Sequence, residues 1–194
     1  MTADELVVLL SPDGEAIGTA PKATVHHAET PLHLAFSAYL FNDRGELLLT
    51  RRALDKATFP GVWTNSVCGH PAPGERLPDA VRRRAAEELG LEVRDLRLVV
   101  PRFAYRAEMG GVVEWEQCPV LVGRVDGDPA PNGDEVAETA WADWHEFAGD
   151  VLAGRRQISS WSREQVEQLS RLGPEPHTWP TADPADLPPA LPRD

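Results

Sequence analysis

Apolar and polar positions along the chain follow two periods, one of about two residues and one of about four, and they divide it into alternating strands and helices. Residues 6–10 are a continuous apolar run, Leu-Val-Val-Leu-Leu, followed by Ser11-Pro12-Asp13-Gly14 and a second extended piece at 16–19, which predicts an opening hairpin. Residues 33–41 and 46–52 are apolar runs flanking Asn42-Asp43-Arg44-Gly45, the pattern of a strand, a turn and a strand in a sheet covered on both faces. Residues 59–74 are rich in Pro, Gly and Trp without a sustained period, as expected of an ordered loop that positions side chains. Pro78-Asp79 can start a helix and Gly90 can stop it, and Val81, Ala85 and Leu89 recur every four residues as its inward stripe. Further strands are predicted at 96–100, 102–107, 112–123 and 138–144. Helices follow at 145–153 and 161–172, the second with Trp161, Val166 and Leu169 on one side.

Composition narrows the class. The 194 residues are 42% hydrophobic, sufficient for one domain with its own core. That domain is expected to span 1–172. Residues 173–194, which hold a large share of the 18 prolines, are expected to form an extended or disordered tail. With 31 acidic against 19 basic residues and a formal charge of −12, nonspecific binding to nucleic acid or an anionic membrane is disfavoured, and an anionic substrate needs a local basic pocket. The run at 6–10 is too short for a membrane span or a signal-peptide core and lacks a basic leader, so a cytoplasmic protein is expected, as a monomer or weak homodimer. Cys68 and Cys118 are too few for a disulfide framework and are read as free thiols.

Chemistry-bearing residues fall into constellations. His26, His33, His70, Glu114 and Glu116 come from separate parts of the chain. The two glutamates, two apart on a predicted strand, project from one face, and Cys118 continues the row. Three imidazoles and two carboxylates make a mixed nitrogen and oxygen set for Mn²⁺, or for Mg²⁺ or Zn²⁺. His27, His145 and His177 are read as surface or packing residues. Gly69, Glu75 and the string Arg83-Arg84-Ala85-Ala86-Glu87-Glu88-Leu89-Gly90-Leu91 stand at the spacing of the Nudix box and resemble it. Hydrolases of that family place a glutamate after the first arginine, where this chain has Arg84. A cation there weakens water activation and suits holding a diphosphate without cutting it.

A longer resemblance is more specific. Leu32-His-Leu-Ala-Phe-Ser37, Leu49-Thr-Arg-Arg-Ala53, Pro60-Gly-Val-Trp-Thr-Asn-Ser-Val-Cys-Gly-His-Pro71, Tyr105-Arg106 and Glu114-x-Glu116-x-Cys118-Pro119 resemble the type 1 isopentenyl-diphosphate isomerases. The likeness implies an α+β fold, a Nudix-like α/β/α sandwich with a mixed central sheet and an added N-terminal hairpin. It implies conversion of isopentenyl to dimethylallyl diphosphate in isoprenoid biosynthesis, by protonation on one face and deprotonation on the other. By the same likeness Cys68 and Glu116 are the catalytic pair, Tyr105 hydrogen-bonds the glutamate, and His26, His33, His70, Glu114 and Glu116 hold the first metal. Glu88 and the carbonyl of Cys68 hold a diphosphate-bound Mg²⁺, and Lys22, Arg52, Lys56 and Arg84 surround the diphosphate.

Trp161 has two readings, an indole near the hydrocarbon or a core anchor. A thiolate at Cys68 is a reasonable partner in proton transfer, because nearby cations favour thiol ionisation. Glu75 and Glu87 either support the site or are surface charges, and Cys118 is read as packing. The competing functions are a Nudix-type diphosphate hydrolase, against which Arg84 argues, and a noncatalytic metal-dependent binding module, which has no need for a thiol beside a metal-held carboxylate.

Overall fold

A computed structural model describes residues 5–193. The chain opens with the antiparallel hairpin of β1 (Leu6–Leu10) and β2 (Ala16–Pro21), then a short helix α1 (Lys22–Val25). β3 (His33–Leu34), β4 (Phe36–Phe41), β5 (Glu46–Arg52), β6 (Trp63–Thr64) and β7 (Val67–Gly69) precede the helix α2 (Leu77–Leu89). β8 (Val93–Val100), β9 (Ala104–Met109), β10 (Val112–Gln117), β11 (Val120–Val125) and β12 (Val136–Asp143) lead to α3 (Trp144–Leu152) and α4 (Ser160–Ser170). One sheet has the order β2-β1-β3-β10-β9. A second runs β12-β5-β4-β11-β8, with β6 paired to β5 and β7 to β4. Both are mixed, since β10 runs parallel to β3 and β11 parallel to β4.

Where one central sheet was expected there are two, and the reason lies in two predicted strands that each break. The run at 33–41 parts at Ala35, and the run at 112–123 parts at Cys118-Pro119, where proline has no N–H to extend the ladder. The broken runs cross side by side from the first sheet to the second. The Ala35 N–H donates to the Gln117 carbonyl at 2.9 Å and the Ser37 N–H to the Pro119 carbonyl at 3.0 Å. The Cys118 side chain therefore does not continue the row of Glu114 and Glu116 along one strand.

Strand β4, buried along its whole length, divides the core. Phe36, Ala38 and Leu40 face α2 together with Leu48 and Leu121, whereas Tyr39 and Phe41 face α3 and α4 together with Leu49 and Val122. The period of two on buried strands produces the expected α/β/α layering. Helix α2 buries the predicted stripe of Val81, Ala85 and Leu89, and Gly90, with φ 64°, closes it in the left-handed conformation that favours glycine. The same inward face carries Arg84 and Glu88. Helix α4 is capped by Ser159, which accepts from the Ser162 N–H at 3.3 Å and bonds the Thr64 hydroxyl at 2.9 Å, fixing α4 to the loop at β6.

The segment beyond residue 172, expected to be extended or disordered, has no strand or α-helix among the described residues and docks against the domain. Trp179 is 1% exposed and packs edge-on to Trp144 at 5.0 Å, and its indole N–H donates to the Gly173 carbonyl at 2.8 Å. The Ala182 N–H donates to the Leu98 carbonyl at 2.8 Å, and the Ala190 N–H reaches Gly14 in the first hairpin at 3.0 Å. Low regular-structure propensity was read as absence of structure, but two large apolar side chains, Trp179 and Leu191, dock the segment. Trp179→Ala should therefore lower unfolding free energy by about 3 kcal/mol. Urea denaturation checks this, and a variant as stable as the parent would mean that the segment is not part of the core.

Candidate active site

The site lies where the two broken strands cross. In the parallel pairing of β3 and β10, Glu116 stands opposite His33, and in the antiparallel pairing of β9 and β10 it stands opposite Tyr105. His26 follows α1 and His70 follows β7. One ligand atom from each of His26, His33, His70 and Glu116 lies within 4.8 Å of all the others. Glu116 Oε1 is 3.2 Å from His70 Nε2, 3.3 Å from His33 Nε2 and 4.0 Å from His26 Nε2. The His33 Nδ1–H donates to the Pro31 carbonyl at 2.9 Å, which turns Nε2 toward the carboxylate, and although burial opposes it, Glu116 and that carbonyl raise His33. His26 Nε2 and His33 Nε2 are buried without a hydrogen-bond partner. Burial drops His26 to about 3 and also lowers His70, so both favour the neutral imidazole that ligates metals. At Glu116 burial opposes ionisation, but the imidazoles of His33 and His70 that face it outweigh burial and hold the carboxyl well below the usual range. Three imidazoles converging on one carboxylate, two of them with a buried Nε2 that has no hydrogen-bond partner, fit a divalent first-row ion.

Glu114 stands beside this four-donor set and outside it. The Tyr105 hydroxyl lies 2.9 Å from Glu114 Oε2 and 2.8 Å from Glu116 Oε2, so one O–H serves two buried carboxylates. Burial, and then the charge of Glu116, raise Glu114. Arg52 Nη2 approaches Glu114 at 3.9 Å.

Cys68 occupies the middle of β7, directly opposite Ser37 of β4. Its thiol donates to Asn65 Oδ1 at 3.2 Å and lies 3.5 Å from Ser37 Oγ. Burial pushes the thiol up to about 11, more than the hydrogen bonds and Arg52 offset, so it is protonated, in place of the expected thiolate. Gly69 lets β7 and α2 approach, because a Cβ there would sit 2.9 Å from Arg84 Cγ and 3.1 Å from the Phe36 ring.

Each expected diphosphate cation already has a partner. Lys22 bonds Glu5 at 2.8 Å, and Lys56 bonds Glu135. Arg84 meets Glu88 at 2.5 Å, Glu87 at 3.1 Å and Glu135 at 3.3 Å. Arg52 donates to the Thr58 carbonyl and hydroxyl. Burial raises Glu88 more than Arg84 lowers it. Trp161 is 1% exposed, with its ring 5.5 Å from Tyr105 and 5.1 Å from Phe59, and Arg52 lies 6.0 Å from its centroid. Glu75 binds the Arg83 guanidinium through both carboxylate oxygens, and His27, His145 and His177 are exposed. Sequence reading did not single out Ser37, Asn65, Glu135 or Gln165. The one signal was a polar residue inside an apolar run or loop, as for Ser37 within 33–41.

Known proteins resemble this chain in sequence and fold. The NUDIX domain family matches residues 31–162. An isopentenyl-diphosphate Delta-isomerase of Saccharopolyspora erythraea is 64% identical over 187 residues, covering 96% of both chains. Another, of Mycolicibacterium vanbaalenii, is 58% identical over 170 residues, 87% of this chain and 93% of that one. Among solved structures, a Deinococcus radiodurans protein superposes with a TM-score of 0.64 at 22% identity, over 84% of this chain and 98% of its own, which supports the fold. A MutT protein from Methanosarcina mazei gives 0.58 at 25% identity, over 74% and 96%. Among the described residues no helix is long and apolar enough to cross a membrane. The domain match and the high identity over almost the whole chain show that this protein belongs to the Nudix family and, within it, to the isopentenyl-diphosphate Delta-isomerases.

Proposed function

We propose that the chain converts isopentenyl diphosphate to dimethylallyl diphosphate by a 1,3-shift of one proton. The observation that carries this reading is the Glu116 carboxylate, set among three imidazoles and sharing the Tyr105 hydroxyl with Glu114, near enough to a neutral thiol, Cys68, for its charge to help raise that thiol. An unactivated alkene is a weak base, so its protonation needs an acid held close and water kept away. Tyr105, Glu114 and Glu116 are all less than a tenth exposed, and the ring of Trp161 packs beside Tyr105.

In the proposed reaction a proton is added to the terminal methylene carbon from one face, leaving a tertiary cation, and a proton is lost from the neighbouring methylene on the other face. The C=C bond moves by one carbon, and no proton is consumed overall. Cys68 and Glu116 take the two faces, with the Tyr105 O–H and the high-lying Glu114 carboxyl as a local proton reserve. The aromatic face of Trp161 can favour the cation by roughly 1–2 kcal/mol. His26, His33, His70 and Glu116 are the residues that would hold Mn²⁺, or Mg²⁺ or Zn²⁺, with Glu114 adjacent. When bound, the ion supplies a positive charge that fixes Glu116 and favours its ionised form. Glu88 and the Cys68 carbonyl would hold a diphosphate-bound Mg²⁺, and Lys22, Arg52, Lys56 and Arg84 would take the remaining phosphate oxygens, with Lys22, Lys56 and Arg84 exchanging carboxylate partners for phosphate. Arg84 occupies a helix position where a hydrolase needs a carboxylate, and its guanidinium is bound to Glu88, so water activation there is unsupported.

Cys68→Ala and Glu116→Gln should each lower kcat by about a thousandfold or more with the fold retained. Product formation followed by NMR, with circular dichroism as the fold control, checks this, and near-parental turnover by either variant would remove that residue from the chemistry. His26→Ala and His70→Asn should lose most of the tightly held divalent metal that the parent retains after dialysis. Elemental analysis reads that loss, and parental metal content in both variants would contradict the donor set.

A further inference from the structure

Behind the reactive thiol lies a line of buried polar side chains that the chemistry above leaves unused. Ser37, opposite Cys68 in the strand register, is wholly buried, as are Tyr39 two residues along the same face of β4 and Ser162 and Gln165 on α4. The Gln165 Nε2–H donates to Ser37 Oγ at 2.9 Å, and the Tyr39 O–H donates to Gln165 Oε1 at 3.0 Å. With the Gln165 amide oxygen toward Tyr39 and its nitrogen toward Ser37, Tyr39 gives its proton to Gln165 and its 3.1 Å contact with Ser162 Oγ is a donation from Ser162. Ser37 then keeps a single proton and has two sulfurs in reach, Cys68 Sγ at 3.5 Å and Cys118 Sγ at 3.3 Å.

The other side of the thiol is equally determined. Asn65 donates through Nδ2 to the carbonyls of Ala38 and Val67, both at 3.0 Å, and accepts the Thr64 hydroxyl at 2.9 Å, so its Oδ1 must face Cys68. Cys68 is the only member of this set that is not buried. The network ends on the one side chain open to the site. A fully buried glutamine on the apolar side of a helix is unfavourable unless every donor and acceptor is used, and a leucine would fill the space without that demand.

We propose that Gln165 is a positioning residue for Cys68, acting through Ser37: the amide holds the Ser37 hydroxyl, and the hydroxyl sets the direction of the Cys68 Sγ lone pairs toward the substrate. Trp161 and Gln165, one turn apart on α4, thus place the aromatic wall and the thiol from a single helix. This inference rests on the reading of Cys68 as a reacting group.

The test is steady-state isomerisation of isopentenyl diphosphate by the metal-replete full chain, with thermal unfolding of each variant alongside. Ser37→Ala and Gln165→Met should each lower kcat about tenfold with KM within about twofold of the parent, as expected for lost orientation rather than lost binding. The double variant should be no slower than the slower single one, because both changes cut the same path. Tyr39→Phe removes one hydroxyl at the far end and should lower kcat by about threefold, so it decides the matter if Gln165→Met fails to fold. Parental kcat in Ser37→Ala and Tyr39→Phe, losses that multiply in the double variant, or a change confined to KM would overturn the proposal. Cys68→Ala separates the two levels. If it turns over at the parental rate, the role of Cys68 fails and takes this inference with it. If it is inactive while Ser37→Ala and Tyr39→Phe are unimpaired, only the positioning role fails.

Discussion

The convergence of three imidazoles on one carboxylate oxygen is the constraint around which the rest of the protein is arranged. Glu116 can meet His33, His70 and His26 together only because β10 pairs in parallel with β3 at one register, and because β7 delivers His70 from the other sheet. A slip of one residue between β3 and β10 would turn Glu116 to the opposite face and bring Gln117 or Trp115 to the histidines. Parallel pairing of such short strands is weak by itself. It is held by the continuation of both runs into β4 and β11, which are buried on both faces. The fold's core and the site's geometry are therefore one problem, solved at the crossing of two strand pairs.

Charge is handled consistently around that centre. The chain carries a formal charge of −12, and the cations proposed for the diphosphate are held by carboxylates: Lys22 by Glu5, Lys56 by Glu135, Arg84 by Glu88. Burying such groups is tolerable because they are paired, and the pairs can be exchanged for phosphate and a divalent ion when substrate enters. Opposite them, Cys68 is kept neutral by burial, in contrast to a thiol activated by cations.

Much of this was legible in the sequence, for reasons that differ by residue. Helix α2 announces itself through Pro78, the Val81, Ala85 and Leu89 stripe and Gly90, all local signals, and the long loop string around Cys68 carries a specific resemblance. The separation into two sheets was not legible, because whether a strand continues past Ala35 or Cys118 is decided by its neighbour's hydrogen bonds. For the segment after 172, read as extended or disordered, proline content reports the lack of regular hydrogen bonding and says nothing of where Trp179 docks. Glu114 and Glu116, alike in sequence, separate only when distance places one among the imidazoles and the other against Tyr105 and Arg52. The Ser37–Gln165 contact spans 128 positions and leaves no trace beyond a polar residue in each of two apolar faces.

The most direct measurement is incubation of the metal-replete protein with isopentenyl diphosphate in deuterated water, followed by proton NMR. The reading developed above predicts dimethylallyl diphosphate with deuterium in a methyl group and no release of phosphate. Phosphate or a monophosphate as product, or unchanged substrate with each of Mg²⁺, Mn²⁺ and Zn²⁺ present, would contradict it.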